Sequence, residues 1–372
     1  MVNQKESAQG TSRKIAVLKL GTSTLTDGDG RIDRAFLADL AHQVNRVRAS
    51  GWKVVIVSSG AVAAGLDEMS LPLVRPKDIP TVQAASSIGQ RALSAAYDQV
   101  FSPYGIITSL VLLTRRDTAD RNAYLHARDT FGRLLDFDVV PIVNENDTVS
   151  VEQIKFGDND TLAALVACLV GADRVVILSD IDGLYTANPQ KDLDARLIPH
   201  VERITPEIMA GASGAGSNVG SGGMITKLTA AQVLGAAGIP LVICHGRAQD
   251  AVIRALDPAP IGTLFSAAHK PHEITPRKLW IALGDSIRGR VVIDQGARFA
   301  IVEKGKSLLP VGIVSVEGDF SCEDVIDVVD EDGFVVGRGL ARLDSAQLRC
   351  QVCGEASFAE VAIHRDDLVL FE

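Results

Sequence analysis

The chain has 372 residues, of which 47% are hydrophobic and 22% are charged, and its formal net charge is −9. This composition is typical of a globular protein with a sizeable core and excludes a disordered chain. The length favours two domains, and the negative charge disfavours general nucleic-acid binding by the whole chain.

The N-terminal residues 1–13 are polar and lack the apolar segment of a signal peptide. The apolar runs further along, such as 161–172, are shorter than the roughly 20 residues that span a bilayer. We therefore expect a cytoplasmic protein that has no membrane-spanning segment.

From residue 14 onward, short runs rich in β-branched residues alternate with longer segments of helical period. Strands are predicted at 14–21, 52–60, 107–114, 137–144, 173–180 and 239–246, and helices at 33–50, 84–101, 121–136, 159–171 and 223–237. Such alternation predicts βα units and a mostly parallel sheet, which is an α/β fold.

The pattern changes near residue 270. Helical period fades, and the short alternating runs "WIALG", "RVVID", "FAIV", "GIVSVEG", "DVIDVVD" and "FVVGRG" follow one another with Gly and Asp turns. We interpret them as strands of a separate β-rich pseudo-barrel domain. The expected organisation is a tail at 1–13, an α/β domain at 14–268, a linker at 269–276, the β-rich domain at 277–355 and a C-terminal segment at 356–372.

Nearly every predicted strand of the α/β domain ends in small or polar residues. The four clearest cases are at 21–23, 58–60, 144–147 and 179–180. In open α/β sheets ligands bind beyond the carboxyl ends of the strands, so these segments should meet at one site. The segment 144–160, "NENDTVSVEQIKFGDND", is the most polar of them and holds five acids around a single lysine, Lys155.

Two familiar phosphate-binding motifs are excluded. The run "AIVEKGKS" at 300–307 ends like a P-loop but has Ala300 in place of the first glycine. A dinucleotide motif starting at Gly214 and Gly216 would need a glycine at Val219. The sequence therefore supports neither a Walker-type P-loop enzyme nor a simple dehydrogenase.

A different phosphate site is indicated by two lysines. Lys19 ends the first strand just before Gly21, and "SGGMITK" at 221–227 opens a helix in whose first turns Lys227 lies. Backbone N–H groups at a helix N-terminus together with lysines suit a phosphoryl group. Each feature also has an ordinary structural explanation, and Asp158 and Asp160 could simply cap the helix that follows. Lys155 and Arg128 could be solvated partners of surface ion pairs.

Motifs along almost the whole chain resemble those of the amino-acid kinase family, and within it the glutamate 5-kinases. In chain order they are "VLKLGTSTLT", "VVIVSSGAVAAG", "VPIVNENDTV", "KFGDNDTLAALVA", "DGLYTANP" and "GSGGMITKLTAA". Near the end, "GARFAIVEKGKSLLPVGI" and "VAIHRDD" resemble the PUA domain and C-terminal segment that many bacterial members carry. The resemblance implies a three-layer sandwich plus a PUA pseudo-barrel.

The resemblance also implies a reaction, the ATP-dependent phosphorylation of the γ-carboxylate of L-glutamate to L-glutamyl 5-phosphate, the first step of proline biosynthesis. Lys19 and Lys227 should stabilise the phosphoryl group, and Asp160 should orient the two lysines. Residues expected to hold glutamate are Ser59, Asp147 and Asn159. Residues matching the ATP positions are Lys19, Ser179, Asp180, Ser221, Gly222, Gly223, Met224, Ile225, Thr226 and Lys227. Mg²⁺ should accompany ATP, held by phosphates and water, so no residue is assigned as a metal ligand.

Proline as a feedback inhibitor and assembly into dimers or tetramers are further expectations that rest on the resemblance. Rival activities are phosphorylation of aspartate, N-acetylglutamate or a nucleoside monophosphate, and RNA binding by the C-terminal domain. Residues 276–372 hold 11 Lys and Arg against 17 Asp and Glu, a difference of −6. An acidic module is a poor phosphate binder, so we expect weak or no RNA affinity.

Overall fold

The computed structural model describes residues 13–114, 120–149, 159–189, 191–213, 223–267, 275–283 and 287–371. Its first and larger part is built on an eight-stranded sheet. The strands are β1 (Lys14–Leu20), β2 (Trp52–Ser58), β3 (Thr108–Leu113), β4 (Val140–Glu145), β5 (Arg174–Ser179), β6 (His200–Val201), β7 (Leu241–His245) and β8 (Thr263–Phe265). Their order across the sheet is β3-β4-β2-β1-β5-β7-β8-β6, and only the β7–β8 pairing is antiparallel.

Nine helices accompany this sheet in the described residues. They are α1 (Thr22–Leu25), α2 (Arg34–Ala49), α3 (Ala61–Glu68), α4 (Ile79–Phe101), α5 (Arg121–Asp136), α6 (Asn159–Val170), α7 (Pro206–Ser213), α8 (Met224–Ala236) and α9 (Ala251–Ala255). The core on one face of the sheet includes α5, α6 and α8, and the core on the other includes α2, α4 and α9. This arrangement confirms the predicted three-layer fold and its mostly parallel sheet.

The longer helices begin at the capping residues that the sequence indicates. Asp33 caps α2 by accepting a hydrogen bond from the backbone N–H of Phe36, at 3.0 Å. The buried side of α2 then repeats with helical period through Leu37, Leu40 and Val44. Asp78 caps α4 in the same way, and a proline follows in its first turn. In such caps a side-chain oxygen accepts a hydrogen bond from a first-turn N–H group that has no partner within the helix, and this defines where the helix begins.

Helix α6 is apolar almost all round, because it lies between the sheet and two other helices. From Leu162 to Leu169 all but one of its residues are buried. It packs against β1, α5 and α8. Its N-terminus, with Asn159 and Asp160, is buried and lies at the carboxyl end of the central strands.

The C-terminal part forms a separate five-stranded sheet of order β10-β9-β11-β12-β13. Its strands are β9 (Gly289–Ile293), β10 (Ile313–Gly318), β11 (Val325–Asp330), β12 (Val335–Leu340) and β13 (Leu368–Leu370). This sheet confirms the predicted β-rich unit, and four of the expected runs, "RVVID", "GIVSVEG", "DVIDVVD" and "FVVGRG", do contain strands.

The strand predictions for "WIALG" and "FAIV" are wrong. Residues 280–282 of the first run lie in a short helix, α10 (Pro276–Ala282), and the second run lies in α11 (Gln295–Val302); a third helix, α12 (Ser345–Val352), follows later. The deciding signals precede the apolar runs, since Thr275 and Asp294 each cap the helix that follows them. Local capping therefore overrides the alternating pattern of so short a run.

The two sheets share packing through α10. Leu279, Ile281 and Ala282 belong to the same apolar core as the helices α5, α6 and α8. From the second sheet, Arg338 donates from Nη1 to the backbone carbonyl of Ala282, at 2.7 Å. The domain limits expected from the sequence stay predictions, and the limit at 277 falls inside α10. Of the helices in the described residues, none is both long and apolar enough to cross a membrane.

Candidate active site

The candidate site lies where the carboxyl ends of β1, β2, β4 and β5 meet. The pairing register sets Lys19 opposite Val57 of β2 and Ile177 of β5. β1 therefore ends between a β2–β4 side and a β5–β7 side of the sheet. Because the strands are parallel, the loops that follow them open toward the same space.

Asp160 forms the centre of this site. Its Oδ1 lies 2.7 Å from Nζ of Lys19, and its Oδ2 lies 3.1 Å from Nζ of Lys227. Asp160 is completely buried, and each lysine is only 5% exposed. Lys19 comes from the strand β1, and Asp160 and Lys227 come from α6 and α8, two helices that pack against each other on one face of the sheet. Two lysine ammonium groups held by one carboxylate, in a site with little water, suit the binding of an anion.

The N-terminus of α8 faces the same carboxylate. Gly223 is the residue before the helix, and Met224 and Ile225 begin its first turn. The hydroxyl of Thr226 lies 3.0 Å from Oδ2 of Asp160 and 2.7 Å from the carbonyl of Gly223. The backbone N–H groups at the start of the helix add a partial positive charge next to Lys227. Ser221 and Gly222 lie outside the described residues.

Asp160 is not the cap of α6, although it lies in that helix's first turn. The helix begins at Asn159, and the Asp160 side chain bonds Lys19, Lys227 and Thr226. The capping interpretation of Asp160 is therefore wrong. Asp158, Lys155 and the rest of 150–158 lie outside the described residues. Arg128 lies on the surface, where its guanidinium contacts the neighbouring Asp129 at 3.2 Å.

On the β5 side, Ser179 ends its strand and is buried, while Asp180 is exposed. The Ser179 hydroxyl donates to Oδ1 of Asp180, at 3.1 Å. The backbone carbonyl of Ser179 accepts from the N–H of Gly246, which follows β7, at 2.8 Å. The second bond holds the ends of β5 and β7 together, on the side of β1 that faces β5.

On the β2 side, Asn159 joins two strand ends. Its Nδ2 donates to the carbonyl of Ser58, at 2.8 Å, and to Oδ1 of Asn144, at 2.9 Å. The Ser58 carbonyl can only accept, so the amide nitrogen must face it. These two bonds use both hydrogens of Nδ2, and Asn159 can offer a ligand only its Oδ1 acceptor and its backbone N–H.

Behind Asn159 lies a buried hydroxyl pair. Ser58 Oγ and Tyr97 OH share a hydrogen bond of 2.8 Å, and both residues are completely buried. Burial raises the pKa of Tyr97, so this phenol stays neutral. The backbone N–H of Ser59, the next residue, donates to the carbonyl of Leu20 at 3.1 Å. The Ser58–Gly60 loop is thus tied to β1 and to α4.

Asp147 follows β4 and is half-buried. Its Oδ2 accepts a hydrogen bond of 2.5 Å from the hydroxyl of Ser86 on α4. Burial raises the pKa of the Asp147 carboxyl, and the Ser86 hydroxyl and the charge of Arg75 act in the opposite direction. A carboxylate with a raised pKa next to a strand-end site is a candidate for ligand binding.

Of the predicted site residues that the structure describes, Lys19, Asp160 and Lys227 lie together with Thr226, and the others lie at the ends of the neighbouring strands and helices. Sequence reasoning missed Ser86 and Tyr97, which lie within the long helix α4. The available signal was the buried side of that helix, where polar residues at 86 and 90 interrupt an apolar stripe with helical spacing. A buried polar side chain needs a partner, and Ser86 bonds Asp147 while Tyr97 bonds Ser58.

Residues 14–245 match the model of the amino acid kinase family, and residues 289–352 match the model of the PUA domain. Three similar proteins, each named glutamate 5-kinase, come from Vibrio vulnificus, Geobacter sulfurreducens and Deinococcus radiodurans. Their identities to this chain are 41%, 44% and 46%, over 100%, 96% and 95% of it and over 100%, 97% and 99% of their own lengths. The resemblance inferred from the sequence motifs is thereby confirmed.

Proposed function

Because the chain belongs to the glutamate 5-kinases of the amino acid kinase family, we propose that it transfers the γ-phosphoryl group of ATP to the γ-carboxylate of L-glutamate. The product is L-glutamyl 5-phosphate, whose formation is the first step of proline biosynthesis. The observation that carries this proposal is the buried Asp160, which bridges Lys19 and Lys227 at the N-terminus of a helix.

The chemistry needs no general base. The γ-carboxylate of glutamate is ionised near pH 7, so one of its oxygens can attack the γ-phosphorus directly while the bond to the β,γ-bridging oxygen breaks and ADP leaves. The work left to the protein is to align the two anions and to offset their repulsion. A site with two buried lysine ammonium groups matches that requirement.

The two lysines would contact the transferred phosphoryl group from opposite sides of Asp160. Lys19 lies on the central strand, between the two halves of the site, and Lys227 lies on α8. Both are held by short bonds to one carboxylate, so little rearrangement is needed when charge shifts in the transition state. In this proposal Asp160 orients the two lysine side chains, and the lysine ammonium groups stabilise the negative charge of the transferred phosphoryl group.

The β5–β7 side and the start of α8 suit the nucleotide. Ser179, Asp180 and residues 223–227 lie there, and the α8 N-terminus offers backbone N–H groups to phosphate oxygens. Among the described residues, no three His, Cys, Asp or Glu side chains are grouped as a protein-held metal would need. We expect the Mg²⁺ that accompanies ATP to be held mainly by phosphate oxygens and water, as is usual for this ion.

The β2–β4 side suits the amino acid. The Asp147 carboxylate and the Oδ1 of Asn159 are both acceptors, which is what the substrate's ammonium group requires. The hydroxyl of Ser59 can donate to a substrate carboxylate. Glutamate bound there would have its γ-carboxylate toward Lys19, since β1 lies next to β2 in the sheet.

The test is a purified-protein assay with ATP, Mg²⁺ and L-glutamate in which hydroxylamine traps the acyl phosphate. We expect glutamate hydroxamate from the unaltered protein and a loss of about 100-fold or more in Lys227→Ala, the size found when one preorganised charge-stabilising group is removed. Lys191→Ala, at an exposed lysine, is the matched control and should keep full activity.

The same assay with aspartate and N-acetylglutamate, together with ADP release in the presence of nucleoside monophosphates, separates the rival kinase activities. Turnover of one of these substrates without glutamate hydroxamate would refute the glutamate assignment while leaving the phosphoryl site intact. A salt-sensitive submicromolar complex with RNA would overturn the expectation that the acidic C-terminal part binds RNA poorly.

Inhibition by proline and assembly into dimers or tetramers stay predictions. Titration of the glutamate assay with proline checks the first. Light scattering of the eluting protein checks the second, and a mass near the 39.4 kDa of one chain would contradict it.

A further inference from the structure

Three polar side chains of α4 hold the end of β4 and the segment that follows it. Nε2 of Gln83 donates to the carbonyl of Thr148 at 3.3 Å, and Oγ of Ser86 donates to Oδ2 of Asp147 at 2.5 Å. One turn further along, Nε2 of Gln90 lies 3.5 Å from the carbonyl of residue 145. The spacings of three and four residues place all three side chains on one face of the helix.

Of the three bonds, only the one from Ser86 reaches a charged side chain. Ser86 is 1% exposed, so the hydroxyl has little access to competing water. A hydrogen bond to an ionised carboxylate is stronger than one between neutral groups. It also occupies Oδ2 and leaves Oδ1 of Asp147 for a ligand.

Helix α4 is itself fixed against α3 by two glycines. A Cβ at Gly89 would lie 1.7 Å from the carbonyl oxygen of Ala61, and a Cβ at Gly65 would lie 1.8 Å from that of Ala85. The two helices therefore pack backbone to backbone. Since α3 begins directly after Gly60, a shift of α4 would move the Ser58–Gly60 loop and the Asp147 segment together.

We propose that Ser86 is a positioning residue for glutamate, which acts by fixing the Asp147 carboxylate so that its second oxygen receives the substrate's ammonium. This inference rests on the proposed function and deepens it. Ser86 makes no contact with the reacting atoms in this arrangement, so its effect belongs to glutamate binding and not to phosphoryl transfer.

The electrostatics of Asp147 give the inference a pH signature. In the described part of the chain, the groups that act on this carboxyl are Ser86 from α4 and Arg75 from the loop before α4. Burial raises the Asp147 pKa, while Ser86 and Arg75 lower it. Removal of the Ser86 hydroxyl should raise that pKa further, so the acid limb of kcat/KM for glutamate should move to higher pH.

The experiment compares Ser86→Ala with Ser87→Ala in the trapping assay. Ser87 is the neighbouring serine on the same helix, and it is exposed. We expect Ser86→Ala to raise KM for glutamate about tenfold, as the loss of one hydrogen bond to a charged group would. KM for ATP and kcat should change less than about twofold, and Ser87→Ala should resemble the unaltered protein. Ser86→Thr, which keeps the hydroxyl, should restore most of the glutamate affinity.

A double-mutant cycle with Asp147→Asn decides whether Ser86 acts through Asp147. If it does, Ser86→Ala adds little to the defect of Asp147→Asn. Equal losses in kcat, both KM values and melting temperature would show a merely structural role and overturn the inference, as would a glutamate KM unchanged from that of Ser87→Ala. Failure of the unaltered protein to phosphorylate glutamate would instead refute the proposed function.

Discussion

Replacement of Asp160 by asparagine removes one negative charge and changes the side-chain shape little. The substitution leaves Lys19 and Lys227, each 5% exposed, beside each other without their shared counter-charge. Breaking a buried ion pair by removing one partner costs roughly 3–5 kcal/mol. For a domain of this size the loss corresponds to a fall in melting temperature of roughly 6–20 °C.

The same substitution should strengthen nucleotide binding while it slows catalysis. In the unaltered protein Asp160 neutralises part of the lysine charge and repels phosphate. Without the carboxylate, phosphate oxygens supply the missing negative charge, so the Kd for ATP should fall about three- to tenfold. The lysines would no longer be aimed by a common partner, and kcat should drop about 100-fold or more.

Thermal unfolding with and without ATP, combined with the hydroxamate assay, measures all three effects. At equal ATP concentration the melting temperature of Asp160→Asn should rise more than that of the unaltered protein. Asp319→Asn is the control, because the Asp319 side chain in the C-terminal part is 91% exposed and its loss should change stability by less than about 1 kcal/mol. An Asp160→Asn protein as stable as the unaltered one, with the same Kd for ATP, would refute this account of the charge cluster.

Three further predictions concern the scaffold. Gly89→Ala places a methyl group against the carbonyl of Ala61, so it should destabilise the fold by about 1–3 kcal/mol or more and raise KM for glutamate, measured by denaturant unfolding and the trapping assay. Phe131→Ala empties a completely buried position and should cost about 3–5 kcal/mol with KM values unchanged. Asp33→Ala should cost about 0.5–2 kcal/mol at pH 7. Hydrogen bonds from a backbone N–H of α2 and from Arg247 lower the pKa of Asp33 below its ordinary value of 3.8. Unfolding experiments should therefore show the full stability difference between the two proteins above pH 3.8, and the difference should shrink as the pH falls through the lowered pKa.

The elements of the larger domain could be predicted because their signals are local. Asp33 before an apolar stripe of helical period marks the start of α2 at Arg34, one residue from the predicted start. Buried parallel strands read as continuous β-branched runs, as in β1 and β5. Polar residues at the ends of these runs predicted the site, because parallel strands bring their carboxyl ends to one edge.

Short apolar runs near the C-terminus carried too little information. The four residues of "FAIV" are too few for their hydrophobic pattern to distinguish a strand from a helix. The cap at Asp294 is the local signal that indicates a helix. The contribution of α10 to the core of the larger domain was equally invisible, since packing between distant elements has no local pattern.

The sequence by itself determined which residues carry charge and, for most elements of the larger domain, roughly where strands end and helices begin, because these depend on neighbours within a few positions. Only the tertiary structure decided that Asp160 lies between Lys19 and Lys227, which are far from it along the chain and come from a different strand and helix. It also decided that Ser86, unremarkable within a long helix, bonds the Asp147 carboxylate. The physical reason is that strand register and the close packing of helices set these distances, and both depend on the whole folded core.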